Sequence, residues 1–103
     1  MSRAITEREA RTRFLKCIHD ICDEWARFPD KTPLERCEGT AFSILVMFDG
    51  ESADFPAMDI SLSPHPDDKE YHKSLHEDWY EDGMIINDCD YELHHMFINR
   101  EYK

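Results

Sequence analysis

The sequence predicts an α+β domain: an N-terminal antiparallel helix hairpin, a short two-stranded β-sheet and a C-terminal helix, forming a single domain over residues 1–103. Three observations carry this prediction. Apolar residues recur at helical spacing through the first half, they alternate one-for-one with polar residues from 58 to 63, and Pro or Gly marks the changes of period. A chain of 103 residues has room for one modest core, and an apolar fraction of 41% with two Trp and six Phe is enough to fold it.

In "TEREARTRFLKCIHDICDEWARF", Phe14, Ile18, Ile21, Trp25 and Phe28 follow at steps of four and three, one face of an α-helix. Thr6 is its expected N-cap, with Glu9 three residues on completing a capping box. Pro29 should stop it near Phe28, because the residue before a proline avoids helical dihedrals. A second helix should start at Thr32, with Pro33 at the first helical position, where its missing N–H costs nothing. Leu34, Cys37, Ala41, Ile44, Leu45 and Phe48 form its stripe, and Asp49-Gly50 ends it. "AFSILVMF" alone also reads as a strand, but the helical phase runs unbroken back to Leu34. Gly39 weakens a helix by about 1 kcal/mol relative to Ala, so it implies a close neighbour, the first helix.

Beyond Gly50 the period changes. Met58, Ile60 and Leu62 alternate with Asp59, Ser61 and Ser63, predicting a strand that Pro64 and Pro66 terminate. "PDDKEYHKSLHED" predicts a short helix begun by Pro66 and acidic residues, "GMIIN" at 83–87 a second strand, and "DYELHHMFINREYK" a closing helix capped by Asp90.

The net charge of −11 is unevenly placed. Residues 1–40 hold eight bases and eight acids, whereas residues 41–103 hold four bases against fifteen acids and so carry all of it. The acids crowd between His65 and Glu92, interleaved with Tyr71, Trp79, Tyr80 and Tyr91. Such a surface repels phosphates, which excludes direct nucleic-acid binding. The longest apolar run, "AFSILVMF", is far too short to span a bilayer of about 30 Å, and the N-terminus has no run suited to a secretion signal. A cytoplasmic protein is expected, with Cys17, Cys22, Cys37 and Cys89 as free thiols, Cys17 and Cys22 in or beside the core.

"HPDD" at 65–68 resembles the zinc signature of the de-N-acetylase family that acts on N-acetylglucosaminyl lipids and small thiol sugars, with His65, Asp67 and Asp68 in the metal and base positions. Lys69 stands where that family has Glu, and the chain is too short for the large Rossmann-like sheet that the signature needs. A proline turn opening a helix explains the same residues. The other metal candidate is His72 with His76, four apart on one helix face, with His65, Asp68 and Glu77 nearby as further ligands. His94 and His95 are adjacent and should point about 100° apart on a helix, so they are not expected to face one metal without distortion, and one of them is assigned to the core. No cysteine sits beside a Gly-rich elbow, and no phosphate loop exists.

"ERCEGTAFSILVMFDG", followed by "PHPDDKEYH", "WYEDGMIIND" and "ELHHMF", resembles a group of short, uncharacterised bacterial proteins from Pro33 to Phe97. The resemblance implies a bacterial or prophage origin and brings no activity with it. The residues therefore predict a non-enzymatic interaction protein of the inhibitor, immunity or DNA-mimic type. Its acidic aromatic face, Asp67, Asp68, Glu70, Tyr71, Glu77, Asp78, Trp79, Tyr80, Glu81 and Asp82, would bind a basic protein. The alternative is a metal-binding or metal-dependent hydrolytic domain on His65, Asp68, His72 and His76. No cofactor is predicted, no membrane is involved, and self-association is left open.

Overall fold

The computed structural model describes residues 2–88 and 92–101. Among them the regular elements are four helices: α1 (Glu7–Ala26), α2 (Pro33–Phe48), α3 (Asp68–Ser74) and α4 (Leu93–Asn99). Contacts divide the chain into two compact units, Met1–Met58 with Glu92–Lys103, and Asp59–Tyr91.

In the first unit both long helices begin as their sequences imply. Thr6 accepts from the Glu9 N–H while the Glu9 carboxylate accepts from the Thr6 N–H, and Thr32 and Glu35 repeat the exchange on α2. Arg3 adds a two-pronged ion pair, its Nη1 and Nη2 lying 2.8 and 2.9 Å from the two Glu9 oxygens. Phe14, early in α1, stacks on Phe48 at the end of α2, while Trp25, late in α1, meets Gly39 and Ser43, so the two helices are antiparallel. Between them Asp30 takes a left-handed conformation and Arg36 Nη2 donates to the Phe28 carbonyl.

α2 is the middle helix, because α1 and α4 both pack against it. Phe42 meets the edge of His94 near the start of α4, and Glu38 faces Arg100 at 4.0 Å near its end, so α4 runs antiparallel to α2. This position explains why "AFSILVMF" is apolar on every side and mimics a buried strand. Met47, off the predicted stripe, is the fully buried apolar residue among those described, while Leu34 at the near end of the stripe is exposed. The helix stops in a Schellman motif: Gly50 has φ 82°, its N–H donates to the Met47 carbonyl, and the Glu51 N–H donates to that of Val46. Phe55 in the following loop returns to Phe14, with ring centroids 5.7 Å apart. Cys17 is half-buried, but Cys22 and Cys37 are exposed, lining a groove of about 580 Å³ between α1 and α2 rather than entering the core. Cys89 lies outside the described residues.

The expected two-stranded sheet does not form, and the α+β class is corrected to a mostly helical one. Segments 58–63 and 83–87 do meet, but in one isolated antiparallel bridge, Ser61 with Ile85. Hydrogen bonds from Leu62 to Met84, Gly83 to Leu62 and Ile86 to Ile60 surround it. The ladder cannot lengthen at either end. Gly83 turns at φ 80°, Ile86-Asn87 turns again, and the Ile60 N–H is taken by the Asn87 side chain at 2.8 Å. The alternation itself persists in burial, with Met58, Ile60 and Leu62 half-buried and Asp59, Ser61 and Ser63 exposed. α4 starts after Glu92, and the predicted cap Asp90 lies outside the described residues. No helix among the described residues is long and apolar enough to cross a membrane.

Two outcomes are expected. Gly39→Ala gains up to about 1 kcal/mol of helix propensity, yet its Cβ would overlap the Trp25 ring. That ring is held by the 2.8 Å bond to Ser43 and by stacking on Phe28. Overpacking of about 1–3 kcal/mol should therefore win, and urea unfolding should show net destabilisation. The second concerns Glu9, whose pKa the Arg3 guanidinium and Thr6 lower from the usual 4.5 to about 2. A lowered folded pKa gives stability that is present above 4.5 and lost as pH falls towards about 2. The thermal midpoint of Glu9→Gln should lose less over that interval than that of the wild type.

Candidate functional site

The predicted interaction residues all lie in the second unit, which compresses ten acids and two lysines into residues 59–91. α3 presents Glu70 and Tyr71 to solvent, and Asp67, just before it, is 91% exposed on its side chain. After the helix, Glu77, Asp78, Tyr80 and Asp82 are exposed, Tyr80 most among the described Phe, Tyr and Trp residues at 72%. Asp68 is half-buried at the first position of α3.

Trp79 is more engaged than its neighbours. Lys69 and Lys73 place their ammonium groups 5.6 and 5.0 Å from its ring centroid, cation–π distances. Glu81 completes the arrangement, accepting from Trp79 Nε1 at 3.0 Å and from Lys69 at 3.2 Å. The Trp79 bond, and secondly Lys69, lower the Glu81 pKa and hold it ionised. His65, Lys69, Tyr80, Glu81 and Asp82 border a shallow cleft of about 260 Å³. The unit thus shows an aromatic ring and a carboxylate receiving amines, with further acids and two tyrosines open around them.

The alternative metal set does not assemble. α3 ends at Ser74 because His76 adopts φ 56°, and the His76 and Glu77 N–H groups donate back to Lys73 and His72. His76 therefore leaves the helix face it was expected to share with His72. His72 pairs instead with Glu77 at 3.2 Å, and His65 Nδ1 accepts from the Asp67 N–H.

The histidine cluster that does assemble belongs to the first unit, where α2 ends and α4 begins. Asp49 Oδ2 accepts from the His94 backbone N–H at 2.9 Å and from Nδ1 at 2.7 Å, with side chains only 5% and 8% exposed. A carboxylate oxygen only accepts, so Nδ1 carries the proton. Glu92 Oε2 lies 3.8 Å from the same Nδ1, sealed from solvent and without a donor. His95 packs on His94 with ring centroids 4.2 Å apart, and one ligand atom from each of Glu92, His94 and His95 lies within 4.8 Å of the others. Burial first, then a hydrogen bond shared with the Glu51 carboxyl and its charge, push the Glu92 pKa up, opposed by both histidines.

His94 is buried and His95 exposed, as helical projection implies, yet Glu92 precedes the helix in extended conformation and the two imidazoles tilt together at its first turn. "ELHH" was the available signal for these three. Nothing local could announce Asp49, 45 positions from His94. No family model, curated protein or solved structure matches this chain.

Glu92→Gln is expected to stabilise the metal-free protein at neutral pH. A raised folded pKa makes the ionised form costly, a cost absent below the usual 4.5 and growing as pH rises through the folded value. The urea midpoint of the variant should exceed that of the wild type at neutral pH, measured with a chelator present, and the difference should vanish in acid.

Proposed function

We propose that the protein is a non-enzymatic interaction protein whose second unit binds a basic partner protein through its acidic aromatic face, in the manner of an inhibitor, immunity protein or DNA mimic. The observation that carries this reading is Trp79 with Glu81, which already receive two lysines of the chain itself. A partner's lysine or arginine would meet the same chemistry at Tyr80, with Asp67, Glu70, Asp78 and Asp82 around it. Exposed acids accelerate encounter and impose salt dependence, while aromatic contact area supplies affinity that salt does not screen.

The test uses a defined lysine- and arginine-rich peptide. Asp67, Glu70, Asp78 and Asp82 changed together to Asn or Gln should leave the helical circular-dichroism signal intact and weaken binding at low salt by at least about tenfold, roughly 1.4 kcal/mol. Tyr80→Ala changes no charge, so a comparable loss with an unchanged salt slope identifies a specific face rather than diffuse attraction. Equal binding by the wild type and the charge variant at low salt would end the proposal.

A further inference from the structure

The cluster between α2 and α4 is short of positive charge. Asp49 and Glu92 approach His94, Glu51 adjoins Glu92, and among the described residues the charges acting on Glu92 come from Glu51, His94 and His95. A sealed carboxylate oxygen with no donor is costly unless a cation or proton meets it. We propose that Glu92, His94 and His95 form a binding site for a divalent transition cation of the zinc class, with Asp49 holding the His94 ring.

The donor set fits that class. Two imidazole nitrogens and one carboxylate suit zinc, cobalt or nickel, whereas magnesium and calcium favour oxygen alone. Zinc bonds to such donors measure about 2.0–2.2 Å, which places tetrahedral ligand atoms roughly 3.4 Å apart. One donor atom from each residue lies within 4.8 Å of the others, which puts the three side chains within reach of a single cation. Ligating imidazoles usually give their other N–H to a carboxylate, which fixes tautomer and orientation. His94 does this with Asp49, so the cation would meet Nε2, and the Glu92 carboxylate, which lies 3.8 Å from Nδ1, would turn towards that nitrogen. Three protein donors also leave one coordination position open to water, as in catalytic rather than structural zinc sites.

The full chain, stripped with chelator, is titrated with Zn²⁺ near neutral pH by calorimetry, with Mg²⁺ as control. One equivalent should bind with a dissociation constant of about 10 µM or tighter. Glu92→Gln and His95→Ala, at partly exposed positions, should keep the fold and each weaken zinc by at least about tenfold. His94→Ala is avoided because it strands the buried Asp49. The double variant His72→Ala/His76→Ala should bind as the wild type does. Absence of saturable zinc binding, indifference to Glu92→Gln and His95→Ala, or loss of binding in the double variant would each overturn the site.

Discussion

One carboxylate oxygen organises the first unit. Asp49 closes α2 and at the same atom accepts two hydrogen bonds from His94, so the end of the middle helix is tied to the beginning of the last. A buried pair of this kind is a weak source of net stability, since desolvation offsets most of its attraction. Its value here is positional. Phe42 could slide along an apolar partner at little cost, but only one placement of α4 sets both His94 donors on the same oxygen. The contact between Arg100 and Glu38, the rest of the α4 packing and the gathering of Glu92 and His95 all follow from that placement.

What the sequence reveals is the physics that acts over a few residues. Both capping boxes, the Gly50 stop and the closeness of Gly39 to α1 depend on neighbours three or four positions away or on a missing side chain, and all are visible in the letters. The two strands were misread because alternation reports which side of a segment faces inwards, not whether a partner stays alongside. Turns at Gly83 and Ile86-Asn87 limit the pairing to one bridge. The early end of α3 was hidden for a related reason: His76 supplies a left-handed residue where a glycine would have announced one. Asp49 was legible as the end of a helix and illegible as the partner of a histidine far along the chain.

The two sites answer the same electrostatic problem differently. On the second unit most acids remain hydrated, so their mutual repulsion is screened and they stay available to a visitor. At the junction of α2 and α4 the Asp49 carboxylate and one oxygen of Glu92 are withdrawn from water, and imidazoles accompany them. The first arrangement suits reversible contact with a macromolecule. The second suits something small.

The tryptophans divide between the units, and their surroundings differ. Trp25 is wedged against Gly39 with its indole N–H on a serine hydroxyl, while Trp79 is flanked by two ammonium groups and bonded to a carboxylate. Each unit therefore contains its own fluorophore. With the other indole replaced by phenylalanine, emission from one ring follows the opening of its own unit alone, and comparison of the two curves tells whether 103 residues melt as one cooperative body or as two.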